Sequence, residues 1–348
     1  MNDEQKTKDI NVNNKEQIEF LGVGDVVIDT FIELIDAWIE DDNPEKKEEL
    51  CMHFGDKIPY KQEVNVKATG NAPNAVNAAT KLGLKTGLVT NIGGDDNGKE
   101  IIKALQEKGI NTDNITVHPD KESNHNYILR YKAERTILVH HIEYDYKFPN
   151  ITPGPKWMYL SSLAHNSLEH HHEIADYLRQ HSETKLAFQP GTFQMKLGYE
   201  KLKDLYELTE LFFCNKEEAQ RILETKEDDI KVLLQKMSEL GPKIVVITDG
   251  PRGSYVYDTE NSDGEMWHGP MYPDPAPPVD RTGAGDSFAS TFTAALAMGR
   301  SADQALMMGP INSMNVVQHI GAQAGHLTLE EIDELLKNAP ADYKPEKI

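Results

Sequence analysis

Short, continuously apolar segments alternate with segments of helical periodicity along this chain, and this alternation restricts the possible folds more than any other feature. Strands are predicted at residues 18–28, 86–92, 157–160, 185–188, 211–214 and 243–248. Helices are predicted at residues 74–82, 98–108, 168–181, 216–223, 229–240, 289–298 and 329–337. Uninterrupted apolar strands are typical of parallel sheets that helices cover on both faces. The pattern therefore predicts an α/β protein with a three-layer α/β/α core.

Two stretches break this alternation. The first, residues 36–67, includes a charged run at 41–49. The second, residues 124–141, carries apolar side chains such as Tyr127 and Leu129 at alternate positions. Such alternation is typical of half-exposed antiparallel strands. We interpret the two stretches as one small β-lid, although a surface hairpin beside a disordered loop would give the same pattern.

The chain of 348 residues is long enough to bury a substantial core. The pattern predicts a polar leader at 1–15, a discontinuous core at 16–35, 65–123 and 147–338, a β-lid at 36–64 and 124–146, and a polar tail at 339–348.

Acidic residues outnumber basic ones by 57 to 36, which gives a formal net charge of −21. Nucleic acids and anionic membranes bind to basic faces, so the composition argues against both as partners. No apolar run approaches the roughly 20 residues of a membrane span, and the leader lacks the apolar segment of a signal peptide. Two cysteines, Cys51 and Cys214, exclude a disulfide framework. We expect a cytoplasmic protein.

The strongest motif is DRTGAGD at residues 280–286, directly before a predicted helix. Its small residues leave backbone N–H groups accessible where the helix begins, and such groups bind anions. Asp286 lies in the first turn, where a carboxylate can accept the proton of an attacking hydroxyl group. The N–H groups of Gly283, Ala284 and Gly285 would meanwhile hold the transferred phosphoryl group. On this motif alone, an aspartate that caps the helix remains an alternative.

Two further segments extend the pattern: NAPNAVNAATKLG at 71–83 and TNIGGDDNG at 90–98. Together with DRTGAGD, they resemble the signature regions of the ribokinase-like (PfkB) family of carbohydrate and nucleoside kinases. The resemblance covers residues 18–326 and keeps the motif order. It implies a ribokinase-like core with a mostly parallel central sheet. It also implies a kinase that transfers phosphate from ATP to an alcohol group, with Asp286 as the general base.

The resemblance also implies residues for ATP and its metal ions. Asn215 and Glu218 resemble the family's N-x-x-E motif, which helps to place Mg²⁺ and phosphate, although a helix capping box would need the same two residues. Asp280 corresponds to a position that lends a backbone oxygen to a monovalent cation such as K⁺. Further ATP-binding positions are implied in a phosphate-contacting turn and near the adenine, at Thr248, Gly250, Gly253, Asn312 and Asn315.

For the acceptor, the resemblance points to Asp29 at the end of the first strand as a carboxylate that binds sugar hydroxyls. Gly70, Asn71 and Asn74 correspond to the family's sugar-contacting turn. Asp25 is a second candidate, although it could equally stabilise a turn. Carboxylate and amide groups suit polyols because each can make two hydrogen bonds to neighbouring hydroxyls.

Three other patterns are rejected as sites. GGDDNGKE at 93–100 lacks the final Ser or Thr of a P-loop, and its aspartates would repel phosphate. GVG at 22–24 lacks the third glycine of a dinucleotide fingerprint. Three consecutive histidines at 170–172 point about 100° apart on a helix, so they cannot converge on one metal ion. We expect a solvated helix start there.

A sugar kinase of the ribokinase or fructokinase type is the first hypothesis. Two departures weaken the assignment of ribose or fructose, namely Thr69 in place of a usual glycine and FQPGT at 188–192 in place of an acidic opening. A nucleoside kinase is the second, if Trp38, Phe54 and Tyr60 stack on a nucleobase. A phosphosugar kinase is the third, if substrate phosphate meets the basic residues Lys57, Lys61, Arg130 and Arg135. A sugar- or nucleotide-binding regulator without activity is the alternative from another class. The resemblance also implies a homodimer through the lid.

Overall fold

The structure is a computed structural model that describes residues 16–40, 48–132, 134–260 and 264–348. The predicted leader and residues 41–47 of the charged run lie outside the described residues. The strands are β1 (Phe20–Val23), β2 (Val27–Leu34), β3 (Trp38–Glu40), β4 (Glu49–Cys51), β5 (Tyr60–Thr69), β6 (Thr86–Gly93), β7 (Ile115–His118), β8 (His125–Tyr131), β9 (Glu134–His140), β10 (Trp157–Leu160), β11 (Lys185–Phe188), β12 (Thr209–Asn215), β13 (Ile244–Thr248), β14 (Ser254–Asp258), β15 (Met266–Gly269) and β16 (Glu346–Lys347). The helices are α1 (Asn71–Lys81), α2 (Asp96–Glu107), α3 (Leu168–Gln180), α4 (Thr192–Leu197), α5 (Tyr199–Leu208), α6 (Lys216–Ile222), α7 (Ile230–Ser238), α8 (Ala284–Ala297), α9 (Ala302–Val316) and α10 (Leu329–Lys337).

The largest sheet has ten strands in the order β16-β15-β14-β13-β12-β11-β10-β1-β6-β7. The strands from β7 across to β13 run parallel, and β14 to β16 are added in antiparallel pairs. Strands β1, β6 and β10 are buried along their whole length, as their uninterrupted apolar sequences predict. The predicted mostly parallel central sheet is confirmed.

Helices cover both faces of this sheet. Successive side chains of one strand enter different cores, because strand side chains alternate between faces. On β1, Phe20 belongs to the core formed with α1, α2, α8, α9 and α10, whereas Leu21 belongs to the core formed with α3, α5, α6 and α7. The predicted three-layer α/β/α arrangement is confirmed.

The single strand predicted at 18–28 is wrong, because the chain leaves the central sheet after β1. Gly24 and Asp25 form the break. A Cβ atom added at Gly24 would lie 2.8 Å from the Ala72 Cβ, and the Asp25 N–H donates to the Ser162 carbonyl oxygen at 3.0 Å. The chain then continues as β2 in a different sheet.

That second sheet has four strands in the order β5-β2-β8-β9, and a separate hairpin pairs β3 with β4. Strands β8 and β9 are antiparallel, as the alternation predicts, while β2 and β8 run parallel. We call β2, β5, β8 and β9 the small sheet. It includes β2, which the sequence places in the core segment 16–35, so the lid boundaries stay a prediction.

The solvated start expected for the histidine run is wrong for two of its residues. His170 and His171 on α3 are 2% and 1% exposed. The His171 Nδ1 donates to the Ser167 carbonyl oxygen at 2.6 Å and its Nε2 accepts from the Gln194 amide at 3.0 Å. His170 lies against the rings of Tyr146 and Phe148, and His171 lies against Gln194 of α4, so both rings are buried by neighbouring side chains.

Over the described ranges, no group of three or more His, Cys, Asp or Glu side chains could hold a metal ion. None of the helices within those ranges is both long and apolar enough to cross a membrane.

Substitution of Gly22 tests the close contact between β1 and α1. A Cβ atom there would lie 2.3 Å from the Val76 Cγ2 and 3.3 Å from the Ala72 carbonyl oxygen. We expect Gly22→Ala to lower the free energy of unfolding by about 1–3 kcal/mol through overpacking. Urea denaturation measures this. The double variant Gly22→Ala/Val76→Ala should recover part of the loss, and unchanged stability of the single variant would contradict the close approach.

Candidate active site

Two cavities lie at the edge of the central sheet where the parallel strands end. The first, which we call the polar cavity, has a volume of about 370 Å³ and lies between the central and small sheets. The second, which we call the apolar cavity, has a volume of about 540 Å³ and lies beside α8 and α9. Ligands of open α/β sheets bind at this edge because loops and helix N-termini converge there.

The DRTGAGD loop separates the two cavities and is fixed by its own side chains. The buried Asp280 carboxylate accepts hydrogen bonds from the Thr282 N–H at 3.0 Å, the Thr282 hydroxyl at 2.7 Å and the Gly321 N–H at 3.0 Å. Gly283 has φ +82°, and an added Cβ atom would lie 2.3 Å from that of Ala322. Only glycine satisfies both constraints.

Helix α8 begins directly after this glycine with open N–H groups. Its first bond runs from the Ser287 N–H to the Gly283 carbonyl oxygen at 2.8 Å. The N–H groups of Ala284, Gly285 and Asp286 therefore precede the helical ladder. An added Cβ atom at Gly285 would meet no heavy atom within 4 Å. The residues from Gly283 to Asp286 line the polar cavity, so the structure brings the predicted anion-binding groups together there.

Asp286 is buried at the base of the polar cavity and is held by two amides. The Asn71 Nδ2 donates to its Oδ1 at 2.8 Å, and the Asn74 Nδ2 donates to its Oδ2 at 3.0 Å. Burial raises the pKa of Asp286, while the two amide donors oppose that rise. The sequence predicts that both asparagines contact the acceptor, but it does not predict their hydrogen bonds to Asp286.

Gly70 makes this contact between α1 and α8 possible. It precedes α1 with φ +114°, and an added Cβ atom would lie 2.6 Å from the Asp25 carbonyl oxygen. The turn therefore starts α1 at Asn71. Residues three apart lie on the same helical face, so Asn71 and Asn74 both reach Asp286.

Two more carboxylates line the polar cavity. The Asp29 Oδ2 accepts from the Thr69 hydroxyl at 2.7 Å, and its Oδ1 accepts from the Asn126 amide at 3.0 Å. Burial raises the pKa of Asp29, and these two donors oppose the rise.

Asp25 is held by two side chains that follow the small sheet. Its Oδ1 accepts from the Tyr146 hydroxyl at 2.8 Å, and its Oδ2 lies 3.0 Å from the His141 Nε2. The hydrogen bond to Asp25 raises the pKa of His141. Both candidate acceptor carboxylates thus line the same cavity as Asp286.

One wall of the polar cavity is apolar and comes from the small sheet. It consists of Ile128 on β8 and of Ile137 and Val139 on β9. The predicted lid contacts lie elsewhere, since the polar cavity is not lined by Trp38, Phe54, Tyr60, Lys57, Lys61, Arg130 or Arg135. Lys61 forms an ion pair with Glu33 at 2.8 Å instead.

The apolar cavity contains the predicted phosphate turn. Thr248, Gly250 and Gly253 all line it. The carboxylate of Asp249 between them accepts two hydrogen bonds of 2.6 Å from Arg252, so its charge is compensated within the turn.

The structure does not bring Asn312 and Asn315 to the apolar cavity. The Asn312 amide donates to the Thr291 hydroxyl at 2.8 Å, and that of Asn315 donates to the Gly325 carbonyl oxygen at 2.7 Å. Ser313 and Met314 of the same helix line the cavity instead. The motif thus identifies the helix that lies beside the cavity but not the residues that line it, because neighbouring positions on a helix point about 100° apart.

Asn215 and Glu218 form a capping box at the start of α6. The Glu218 N–H donates to the Asn215 Oδ1 at 2.8 Å, and the Asn215 N–H donates to the Glu218 Oε2 at 2.9 Å. Burial raises the pKa of Glu218. Neither residue lines the polar or the apolar cavity, although Asn215 pairs with Thr248, which lines the apolar cavity, across β12 and β13.

The rejected P-loop pattern at 93–100 is a closed turn. The Asp95 carboxylate accepts from the Gly98 N–H at 2.9 Å and from the Ser123 hydroxyl at 2.6 Å. An added Cβ atom at Gly98 would lie 2.1 Å from the Gly93 carbonyl oxygen. The loop therefore has no room for a phosphate group.

Arg281 was not among the predicted site residues. It is exposed and, among the described residues, it is the one charged side chain that lines both cavities. It has no ion-pair partner within the described part of the chain. Its position inside the DRTGAGD motif was the available signal, but roles were predicted only for Asp280, Asp286 and residues 283–285.

Comparisons with known proteins identify the family and the fold. Residues 26–329 match the model of the pfkB family carbohydrate kinases. Ribokinase of Bacillus subtilis is 26% identical over 276 residues, which cover 77% of this chain and 87% of that protein.

Two solved structures have a similar fold. A nucleoside kinase of Methanocaldococcus jannaschii superposes with a TM-score of 0.73 at 19% identity, covering 92% of this chain and 99% of that one. Arabidopsis thaliana ribokinase complexed with ribose and ATP gives a TM-score of 0.72 at 20% identity, with the same coverage. At these identities the likeness shows the fold.

Proposed function

Because the chain belongs to the pfkB family of carbohydrate kinases, we propose that it transfers the γ-phosphoryl group of ATP to a hydroxyl group of an unphosphorylated sugar. The kinase class follows from the family. The donor, the acceptor and the residue roles are our proposal.

One observation carries the proposal: the Asp286 carboxylate and the open N–H groups of α8 line the same cavity. A carboxylate there accepts the proton of the acceptor hydroxyl as that oxygen attacks the γ-phosphorus. The N–H groups stabilise the charge on the transferred phosphoryl oxygens. Such a pairing serves phosphoryl transfer, whereas a binding regulator has no need of the carboxylate.

The lining of the polar cavity favours a neutral, polyhydroxylated acceptor. Asp25 and Asp29 can each accept hydrogen bonds from hydroxyl groups, but both would repel a substrate phosphate. Arg281 is the one Lys or Arg among the lining residues that the structure describes. A phosphosugar is therefore disfavoured.

A nucleoside is the second candidate acceptor. The apolar wall of Ile128, Ile137 and Val139 could cover the face of a nucleobase, although the cavity is not lined by Phe, Tyr or Trp from the described residues. A sugar that presents its C–H face to the same wall needs no aromatic partner. We therefore rank the sugar first.

ATP would bind with its base and ribose in the apolar cavity and its γ-phosphate at the N-terminus of α8. Arg281 lines both cavities, so its guanidinium group would offset charge on the phosphoryl group during transfer. This local positive charge also counters the net charge of −21.

Glu218 at the start of α6 would help to hold the Mg²⁺ that ATP carries, because Asn215 of the same capping box pairs with the cavity residue Thr248. Mg²⁺ bound to phosphates keeps several water ligands, so one nearby carboxylate such as Glu218 is enough to hold a water molecule on it. When bound, the ion neutralises phosphate charge. A monovalent cation at Asp280, a homodimer and a cytoplasmic location stay predictions.

The variant Asp286→Asn tests the base. It keeps the size of the side chain but cannot accept the hydroxyl proton, so we expect kcat to fall by about 10²- to 10⁴-fold. ATP affinity, measured by calorimetry, should stay close to wild type. Near-normal turnover by a folded Asp286→Asn variant would contradict the assignment.

An acceptor screen tests the substrate class. Coupled ADP release would be measured with free pentoses and hexoses, nucleosides and their monophosphates. We expect the highest kcat/KM with a free sugar, and a clear preference for nucleosides would favour the second candidate. ATP binding without turnover on any acceptor would indicate the regulator instead.

Replacement of Arg281 tests the role of its charge. Arg281→Gln should lower kcat by about 10-fold or more, because charge that develops during transfer loses a partner. Arg300→Gln removes an exposed arginine remote from both cavities and should leave kcat unchanged. Equal activity of the two variants would argue against this role.

A further inference from the structure

A chain of hydrogen bonds continues from Asp286 into the protein, beyond the residues that line the two cavities. Asn74 donates from its Nδ2 to the Asp286 Oδ2 at 3.0 Å, and its Oδ1 accepts from the Gln323 Nε2 at 2.9 Å. The Gln323 Oε1 accepts in turn from the Lys108 Nζ. Asn74 and Gln323 are 4% and 7% exposed.

Every hydrogen bond in this chain runs in one direction, with Lys108 as the first donor and Asp286 as the last acceptor. A lysine ammonium group can only donate, so the oxygen of Gln323 must face Lys108. The Gln323 amide nitrogen then faces Asn74, and Asn74 must offer its oxygen to Gln323 and its nitrogen to Asp286. A rotation of either amide by 180° would place two donors or two acceptors in contact. Lys108 thereby favours the same orientation of the two amides that places the Gln323 Nε2 on the Ala68 carbonyl oxygen and the Asn74 Nδ2 on Asp286.

Gln323 also contacts the small sheet. Its Nε2 donates to the Ala68 carbonyl oxygen at 2.8 Å, near the end of β5. The next residue, Thr69, donates to the Asp29 carboxylate that lines the polar cavity. The Gln323 amide therefore contacts both β5, which holds Asp29 through Thr69, and Asn74, which holds Asp286.

We propose that Lys108 and Gln323 are positioning residues that fix the amide of Asn74, so that Asp286 keeps an N–H donor on its Oδ2. Their role as part of a catalytic device rests on the proposed function, in which Asp286 is the base. The hydrogen-bond relay itself can be tested without turnover.

Other ionisable groups face the same region. Tyr159 on β10 lies close enough to interact electrostatically with Asp286. Asp29 and Arg281 line the same cavity as Asp286, and His326 lies near Lys108. None of these four residues is changed in the variants below. Gln323→Leu therefore leaves all of these charges in place, whereas Lys108→Met also removes a charge that acts on His326.

The direct test is the pKa of Asp286, followed by carbon NMR of labelled aspartate and assigned with Asp286→Asn. Gln323→Leu removes the partner that holds the Asn74 amide in place, so the hydrogen bond from Asn74 to the carboxylate weakens and the pKa of Asp286 should rise by about 1. Lys108→Met should shift the pKa in the same direction. The control is Gln220→Leu, because the Gln220 Nε2 also donates to a backbone carbonyl, that of Glu227 at 2.7 Å. An unchanged pKa in both test variants, with melting temperatures near wild type, would overturn the proposal.

Kinetics provide the second readout, with the preferred acceptor. Gln323→Leu should lower kcat by up to about 100-fold through misplacement of the base, move the acid limb of the kcat profile to higher pH, and leave the KM for ATP unchanged. In an Asn74→Ala background the same change should have little further effect, because the relay acts through Asn74. Additive losses would contradict the relay. Absence of turnover by the wild-type protein would refute the proposed function, while the NMR titration would still decide the relay.

Discussion

The contact between α1 and α8 through Asp286 is the interaction on which the site depends. A carboxylate buried at the base of a cavity is costly unless donors compensate its charge. Asn71 and Asn74 supply two donors, and they reach Asp286 because a tight glycine turn starts α1 at Asn71. The two hydrogen bonds of this contact join residues that are 215 and 212 positions apart in the sequence. The site is therefore a property of the assembled core and of no single segment.

Electrostatics at the site act over short distances. A chain of net charge −21 offers no long-range attraction to ATP. The positive potential comes from the N-terminus of α8, whose open N–H groups lie at the polar cavity, and from Arg281, which lines both cavities. Near the apolar cavity, the Asp249 carboxylate is compensated locally by Arg252. Acidic composition and phosphate chemistry are compatible because the relevant fields are confined to the site.

Strong local signals made much of the fold predictable from sequence. Apolar strands and helical periodicity gave the layered sheet, and glycine-rich motifs gave the loop before α8. The division of residues 18–28 into two strands was not predictable, since it depends on the close packing of Gly24 against Ala72. The resemblance that points to Asn312 and Asn315 identifies α9, which does lie beside the apolar cavity. Which side chains of α9 reach the cavity depends on how the helix is oriented in its packed layer. Gln323 and Lys108 have no local pattern at all, because their relay exists only after distant segments pack together.

The apolar wall of the polar cavity lies on different elements from those that hold Asp286. Ile137 and Val139 project from β9, an edge strand of the small sheet, and are 45% and 66% exposed. Substitutions at exposed positions usually change stability little. Side chains there can therefore vary in size and polarity while the carboxylate, its amides and the helix N-terminus stay fixed. If the polar cavity binds the acceptor as proposed, acceptor choice and phosphoryl transfer would depend on separate elements, and a change of substrate would need no inactive intermediate.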